Sequence, residues 1–371
     1  MRLMFCIKQI DNPGGMEKVL IERCNYFIKK DVEIAIVVTD GLSYNSFFYI
    51  DNQIKIKNLD INYSQDKEKN IFFRIFNFFF KQQKHKKRLR KFISEYKPDI
   101  ITSFGNEDKY LLNKINYKCK KILEHHFEKN FLLRKGEKGL HKLKNIYLTK
   151  KEEKLLNKYD EFLVLTKEDK EQWNNEKIKV IYNPISFYPE KKASLENKKV
   201  ISVGRLEYQK GYDILIDVWK KVIEQKKDWI LEIYGDGILK KELEEKIQEL
   251  NLSKNLFLKG KEKNIEKRYL ESSIYLMTSR FEGMPMVLLE AQSYGLPIVS
   301  FDCPCGPRDI ITDSRDGFIC KFGDIDTMVK KLIYLMNYEK ERKEFGNRAR
   351  KNVKQFEKEK IMKEWEKLYC L

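Results

Sequence analysis

The sequence predicts an α/β protein with two doubly wound, parallel-sheet domains. Short buried strands alternate with amphipathic helices along the chain, a rhythm typical of parallel sheets joined by helical crossovers. A chain of 371 residues is long enough for two domains that each bury a core. Hydrophobic residues make up 42% of the sequence, as in ordinary globular proteins.

The first domain is predicted over residues 1–186. A strand at residues 3–7, with no signal-peptide character, leads into a loop containing Gly14 and Gly15 and then an amphipathic helix to about Lys29. Two adjacent glycines allow the backbone to approach a ligand at a helix start, although a simple turn explains them equally well. Further strands are predicted at residues 33–39, 99–103, 120–124 and 161–165.

A polar stretch at residues 187–198 is predicted to be the hinge, followed by a second domain over residues 199–352. Its first strand, residues 199–203, ends at Gly204 and Arg205 and turns toward Lys210 and a helix. Arg205 offers a planar fork of donors and Lys210 a point charge, so together they could bind a pyrophosphate without metal. The strand at residues 229–234 ends at a glycine turn, Gly235 to Gly237.

Two carboxylates bracket a loop and helix that follow the buried strand at residues 274–277. Glu282 lies in the loop, Pro285 suits the first turn of the helix, and Glu290 lies within the helix. Free N–H groups at the helix start favour a phosphate, which would place one glutamate near each end of an anionic ligand. Ordinary solvated positions for both glutamates remain the alternative at this point.

Two features at strand and helix ends carry further chemistry. His125 and His126 follow a strand at its carboxyl end, where α/β sheets bind ligands, although a loop histidine with ordinary hydrogen bonds is the plain alternative. Asp324 and Asp326 form a D-x-D pattern just before a helix, and helix capping is the better interpretation. The seven cysteines show no zinc-binding spacing and no disulfide framework.

Charge and aromatic residues concentrate in one segment, residues 70–97. The chain carries a net charge of +18, which attracts nucleic acid or anionic lipid. Seven apolar residues lie within residues 72–80, and a basic run with no acid before Glu95 follows them. This pattern favours insertion at an anionic membrane interface. Contact with single-stranded nucleic acid, or a helix with its aromatic side chains in the core, are the alternatives. No apolar run has the roughly 18–20 residues of a membrane span.

The nine residues 282–290, EGMPMVLLE, resemble the E-x7-E motif of family 4 glycosyltransferases, which have the GT-B fold. The flanking motifs at residues 203–211, 234–237 and 295–299 are similar to that family in the same order. The run FDCPCGPR at residues 301–308 resembles a subset that builds bacterial polysaccharides, such as capsule and O-antigen, on lipid carriers. The resemblance implies a GT-B architecture whose C-terminal helix, within residues 353–371, crosses back to the first domain.

The resemblance also implies a retaining transfer from a nucleotide sugar, with UDP favoured over GDP. Arg205, Lys210 and the helix amides would stabilise the departing diphosphate in place of a metal, and no cofactor is implied. Glu290 would hold the ribose, and Glu282 with the backbone of Gly283 and Met284 would hold the sugar. The family histidine corresponds to His125, or to His126 if the register shifts by one. The remaining implied donor-site residues are Gly15, Gly204, Gly235, Gly237, Met286, Val287 and Leu288.

The expected acceptor is a polyprenyl-diphosphate-linked saccharide at the cytoplasmic face of the membrane, and the sugar is a hexose or an N-acetylhexosamine. One alternative is a GT-B sugar-nucleotide 2-epimerase. Another, from a different class, is a basic nucleic-acid-binding protein, whose binding would depend steeply on salt. Neither alternative accounts for the ordered motifs between Gly204 and Arg308, so nucleic acid is not expected as a partner.

Overall fold

The computed structural model describes residues 1–12, 14–41, 46–66, 70–134, 139–173, 175–185 and 188–371, apart from the side chains of residues 71, 140 and 141. Two sheets form the molecule. The first has seven strands in the order β3-β2-β1-β4-β5-β6-β7, and the second has six in the order β10-β9-β8-β11-β12-β13. All neighbouring strands pair in parallel. The predicted α/β class with two doubly wound sheets is therefore confirmed.

The first sheet and its helices span the N-terminal half of the chain. Its strands are β1 (Arg2–Ile7), β2 (Glu33–Val38), β3 (Lys55–Asn58), β4 (Ile100–Ser103), β5 (Lys120–His125), β6 (Glu161–Val164) and β7 (Ile178–Val180). Its helices are α1 (Gly15–Phe27), α2 (Ile71–Tyr96), α3 (Phe131–Arg134), α4 (Leu140–Glu153) and α5 (Lys167–Trp173). The predicted first helix ends two residues early because a short 3-10 turn, Ile28–Lys30, continues it.

The second sheet follows the predicted hinge, of which residue 187 lies outside the described part of the chain. Its strands are β8 (Lys199–Val203), β9 (Ile230–Tyr234), β10 (Leu256–Gly260), β11 (Ile274–Met277), β12 (Ile298–Asp302) and β13 (Gly317–Lys321). Its helices are α6 (Tyr212–Ile223), α7 (Lys240–Glu249), α8 (Ile265–Leu270), α9 (Met286–Ser293), α10 (Pro307–Ile310), α11 (Ile325–Asn337) and α12 (Glu339–Asn352). Asp324 caps α11 by accepting a hydrogen bond from the Thr327 N–H at 3.0 Å, as expected from the sequence.

The last helix, α13 (Lys358–Tyr369), joins the core of the first domain rather than the second. Its apolar face buries Ile361, Met362 and Trp365 against β1, β2 and α1. Tyr26 and Lys30 both contact the Glu366 carboxylate, which fixes the helix from its polar side. The C-terminal helix therefore crosses back to the first domain, as the resemblance implies.

Helix α2 has two halves with opposite surroundings. In its C-terminal half, Leu89, Phe92 and Ile93 are buried in the core beside the first sheet. In its N-terminal half, seven apolar side chains are between 39% and 83% exposed: Phe72, Phe73, Ile75, Phe76, Phe78, Phe79 and Phe80. The alternative that places these aromatic side chains in the core is wrong. None of the helices in the described ranges has both the length and the apolar character that crossing a membrane requires.

Candidate active site

The carboxyl ends of the two sheets face each other across a cleft. Each sheet reverses its strand order once, between β1 and β4 in the first and between β8 and β11 in the second, and such switch points form ligand-binding crevices. The domains approach closely there, because a Cβ on Gly283 would lie 2.3 Å from the His126 carbonyl oxygen. A Cβ on Gly15 would lie 4.0 Å from Met286 Cγ. The predicted donor loop and the predicted N-terminal loop are therefore opposite walls of one cleft.

Lys210 and Glu282 form an ion pair on the C-terminal wall. Lys210 Nζ lies 2.8 Å from Glu282 Oε1, and their side chains are only 15% and 6% exposed. Gln209 donates to the Phe281 carbonyl at 3.0 Å and lies 3.4 Å from Glu282 Oε2. The loop after β8 thereby fixes the loop after β11, and Lys210 holds a positive charge at the switch point, where an anionic ligand can reach it.

Arg205 lies apart from this pair. Its side chain is 64% exposed and bonds Glu207, 2.9 Å away. Exposed ion pairs contribute little stability, so this contact costs little to exchange for a phosphate. The structure therefore brings Lys210 and Glu282 together, and Arg205 stays a predicted phosphate ligand at the rim.

Three predicted site glycines of the second domain, Gly204, Gly235 and Gly237, are crowded, two by neighbouring backbone and Gly204 by side chains. A Cβ on Gly235, which has φ +145°, would lie 1.9 Å from the Gly204 carbonyl oxygen, and one on Gly237 would lie 2.4 Å from the Leu206 carbonyl oxygen. A Cβ on Gly204 would meet the Tyr212 hydroxyl at 2.9 Å. Close packing of the loops after β8 and β9 thus explains Gly235 and Gly237, nearby side chains explain Gly204, and the contact of all three with a nucleotide stays a prediction.

Helix α9 presents its N-terminus to the cleft. Pro285 immediately precedes it, and the Leu288 N–H is taken by the Pro285 carbonyl at 2.9 Å. For the N–H groups of Met286 and Val287, the described part of the chain supplies no hydrogen-bond partner. Such amides are a favourable site for phosphate oxygens, so two of the three predicted amides are available and the third is not.

Glu290 lies on the first-domain side of α9. Tyr269 donates its hydroxyl hydrogen bond to Glu290 Oε2 at 3.0 Å, and the Tyr269 ring stacks on Tyr294. Burial raises the pKa of the Glu290 carboxyl, and the charge of Lys18 on α1 opposes that rise in pKa. A carboxylate fixed by a tyrosine at the point where α1 approaches α9 is a suitable acceptor for sugar hydroxyls.

The histidine doublet lies on the opposite wall, where both residues line a cavity of about 180 Å³ with Lys109, Lys129 and Glu152. His125 Nδ1 is 2.6 Å from the Phe127 carbonyl, and its Nε2 is 3.4 Å from Glu152 Oε2. His126 Nε2 is 3.2 Å from Glu124 Oε2. His125 therefore has both nitrogens engaged within its own domain, whereas His126 has one.

Several residues of this wall were not identified from the sequence. Lys109 pairs with Glu152. Burial acts to raise the pKa of the Glu152 carboxyl, but His125 and Lys109 outweigh burial and lower that pKa to about 2. Glu124 pairs with Arg23 of α1 across a buried interface. A charged residue inside an apolar strand or an apolar helix face is the only signal the sequence offers for such a pair, and it does not name the partner.

The segment around Cys305 connects the two domains. Asp309 accepts hydrogen bonds from the Lys167 N–H at 2.9 Å and from the Tyr182 hydroxyl at 2.8 Å. The Cys305 N–H donates to Glu168 Oε2 at 3.0 Å. These contacts hold the loop after β12 against α5, so the run that resembles the polysaccharide subset is part of the domain interface.

Among the described residues, no three histidine, cysteine, aspartate or glutamate side chains are grouped closely enough to hold a metal ion. Lys210, Arg205 and the helix amides are positive groups of the C-terminal wall of the cleft.

Comparisons with known proteins agree with this arrangement. Residues 185–352 match the family model described as glycosyl transferases group 1. An uncharacterized glycosyltransferase of Haemophilus influenzae is 29% identical over 98% of both chains. A Campylobacter jejuni relative, named as an α-1,4-N-acetyl-D-galactosaminyltransferase acting on an undecaprenol-diphosphate-linked saccharide, is 27% identical over 99% of this chain and 98% of its own.

A solved structure shares the fold over its whole length. A mutant of S. aureus TarM, in complex with fondaparinux, α-GlcNAc-glycerol and UDP, superposes with a TM-score of 0.78 at 18% identity and covers 100% of both chains. The sheet topology, the crossing C-terminal helix and the full-length relatives together identify this chain as a glycosyltransferase of the GT-B fold.

Proposed function

We propose that this chain is a retaining glycosyltransferase that moves a hexose or an N-acetylhexosamine from a UDP-sugar to a polyprenyl-diphosphate-linked saccharide. The observation that carries this proposal is the Lys210–Glu282 pair beside the open amides of α9, facing the histidine doublet across the switch-point cleft. The relative named for an undecaprenol-diphosphate acceptor and the neighbour holding UDP support the choice of substrates.

The leaving group is a nucleoside diphosphate, and its developing negative charge must be stabilised. Lys210, Arg205 and the amides of Met286 and Val287 would supply that stabilisation, and we propose that they suffice without a divalent metal. The anomeric bond to the phosphate oxygen breaks while the acceptor hydroxyl attacks the same face, and the departing phosphate oxygen takes the acceptor proton. Glu290 would accept hydrogen bonds from the ribose and Glu282 from the sugar.

Titration calorimetry with UDP and GDP in the presence of a chelator tests the donor site. We expect micromolar UDP binding by the wild type, loss of binding in Glu290→Ala, and wild-type binding in Glu249→Ala, an exposed residue of α7. GDP binding in place of UDP would change the donor class, and no nucleotide binding would overturn the proposal. Free UDP released only when a saccharide acceptor is present would exclude the epimerase.

We further propose peripheral attachment to the inner face of the cell membrane through the N-terminal half of α2, which we call the aromatic arm (residues 72–80). The C-terminal end of α2 lies at the amino edge of the first sheet, because the Tyr96 hydroxyl donates to the Leu3 carbonyl at 3.3 Å. Lys81 and Gln82 lie level with the carboxyl edge, bonding Asn62 after β3 and Glu107 after β4.

The aromatic arm must therefore extend past the carboxyl edge, where the cleft lies, by about 14 Å at 1.5 Å per residue. Seven of its nine side chains are apolar and exposed to solvent, and such an apolar patch indicates an interaction surface. The exposed cations Lys87, Arg90 and Lys91 follow it along the same helix, which favours an anionic lipid surface. Attachment here would bring the entrance of the cleft to the membrane-bound acceptor.

Co-sedimentation with phosphatidylglycerol vesicles and with neutral phosphatidylcholine vesicles tests the attachment. We expect binding to the anionic vesicles only, and loss of binding in the double variant Phe76→Ser, Phe79→Ser. Ile238→Ser is the matched control, since Ile238 is an equally exposed apolar residue of the second domain. Equal binding by the double variant, or arm-dependent dimerisation without vesicles, would overturn this part of the proposal.

A further inference from the structure

A buried chain of side chains leads from the crossing helix α13 to the histidine doublet. Arg23 on α1 donates to both oxygens of Glu124, at 2.5 and 2.9 Å. The second of those oxygens lies 3.2 Å from His126 Nε2. Arg23 and Glu124 are each only 1% exposed. A bidentate pair of this kind, removed from water, fixes the direction of the carboxylate.

Aromatic side chains enclose the pair. The Arg23 guanidinium lies 3.5 Å from the ring centroid of Trp365 on α13 and 5.4 Å from that of Phe104. Phe104 in turn stacks on His126, with ring centroids 4.7 Å apart and planes 13° apart. Trp365 therefore supports Arg23 from one side, and Phe104 lies against both Arg23 and the histidine. The enclosure leaves His126 little freedom to rotate.

Glu124 is held in its charged form. Burial acts to raise the pKa of its carboxyl, but the charge of Arg23 and the hydrogen bond from His126 outweigh burial and lower that pKa. An ionised carboxylate can only accept hydrogen bonds, so the imidazole facing it at 3.2 Å carries a proton on Nε2. His126 Nδ1 then holds a lone pair, and no described residue donates to it.

We propose that Glu124 and Arg23 are positioning residues that hold His126 as its Nε2–H tautomer, so that Nδ1 accepts a hydrogen bond from a hydroxyl of the bound sugar. The proposal rests on the proposed function and assigns the cleft histidine to His126 rather than His125. His125 has both ring nitrogens engaged by Phe127 and Glu152. His126 also belongs to the backbone segment that touches Gly283 of the donor loop. Trp365 makes the crossing helix part of this arrangement.

Nitrogen-15 NMR of histidine-labelled wild-type protein reads the tautomer directly. The chain has four histidines, and the signals that disappear in His126→Gln assign this one. We expect the Nε2–H tautomer in the wild type. An Nδ1–H tautomer would overturn the proposal, and this measurement needs no variant of the buried pair to fold.

The double variant Arg23→Met, Glu124→Met tests the consequence for turnover. It removes both charges together, and buried pairs replaced by apolar side chains commonly keep their stability. We expect kcat to fall at least about tenfold, with UDP affinity within about twofold of the wild type because the donor wall is untouched, and we expect the tautomer preference of His126 to be lost. Wild-type kcat in a folded double variant would overturn the proposal.

Leu20→Ala is the matched control, because Leu20 is a buried residue of α1 one turn before Arg23. It should lower the melting temperature and leave kcat and the His126 tautomer unchanged. A failure of the proposed function would be distinguishable from a failure of this inference. In the first case the wild type would transfer no sugar, and the NMR spectrum would still report the His126 tautomer.

Discussion

The two walls of the cleft are built in different ways. Each loop of the C-terminal wall is continuous in sequence, as in the loop from Gly204 to Lys210 and the loop from Glu282 to Met286, and the Lys210–Glu282 pair joins these two loops. The N-terminal wall depends on pairs between distant residues, such as Arg23 with Glu124, which lie 101 positions apart. A continuous loop at a strand end can be recognised from its letters, whereas a distant pair exists only after the chain has folded.

Among the variants that test this difference between the walls, Lys210→Ala on the C-terminal wall should lower kcat the most. Removing a positive group aimed at the leaving diphosphate should lower kcat by about 10²–10³-fold. It also leaves Glu282 without its cation, so the melting temperature should fall. Steady-state kinetics and thermal unfolding measure both effects. Lys221→Ala, whose exposed pair with Asp326 is remote from the cleft, should keep wild-type turnover; a Lys210→Ala enzyme as fast as wild type would remove this residue from the mechanism.

Gly283→Ala disrupts the contact between the two walls rather than either wall alone. The added Cβ would lie 2.3 Å from the His126 carbonyl oxygen, so backbone must move apart. A displacement of about 1 Å at a reacting centre costs about 10²-fold in rate, and kcat should fall by that order. UDP affinity should stay within about threefold, since the donor loop binds nucleotide by itself. Parallel loss of affinity and rate would instead show that the substitution damages the donor loop.

Glu290→Gln tests whether this half-buried carboxylate binds the donor as an anion. Hydrogen bonds to a charged group contribute about 1.5–3 kcal/mol, so UDP affinity should fall by about 10–100-fold. Burial raises the pKa of Glu290, and the carboxylate form predominates only above that pKa. Wild-type UDP affinity should therefore weaken as pH falls through that raised pKa, at a higher pH than for an ordinary glutamate, and the glutamine variant should lose that pH dependence. Calorimetry at several pH values decides, and an unchanged pH profile in the variant would contradict the assignment.

The smallest effect is expected from Gly15→Ala on the N-terminal wall. The new methyl group would meet only Met286 Cγ, at an ordinary 4.0 Å, and alanine is the better helix former. The melting temperature should therefore hold or rise. If a sugar lies against Gly15, overpacking should raise the donor KM by roughly two- to tenfold. Unchanged KM in the stable variant would show that the donor does not reach this loop.

Much of the donor wall could be predicted from the sequence because its chemistry is local. The motif from Glu282 to Glu290 places a loop, a helix N-terminus and two carboxylates within nine residues, and the structure keeps them at one strand end. The predicted amides were less accurate, since the Leu288 N–H is used by Pro285. A count of free amides depends on how tightly the first helical turn closes, and the letters do not specify that.

The aromatic arm, in contrast, could not be placed from the sequence. Residues 72–80 predict an apolar helix, but the same letters fit a core helix or a surface helix. Only the height of α2 against the sheet, fixed by Tyr96 at one edge and Gln82 at the other, places these side chains beyond the core. The same applies to the histidine doublet at the end of β5. Its two side chains point in different directions, so that His125 lies near Glu152 and His126 near Glu124.

The sequence by itself determined the α/β class, the two domains and the donor loops, because periodicity and short motifs act over a few residues, and the family resemblance implied the crossing C-terminal helix. Only the tertiary structure decided which residues face each other across the cleft, which apolar side chains stay in water, and which carboxylate fixes which histidine. Those outcomes depend on the packing of strands and helices that are distant in the chain. The charges that packing brings together then set the charge states, since Arg23 lowers the pKa of Glu124 against the effect of burial.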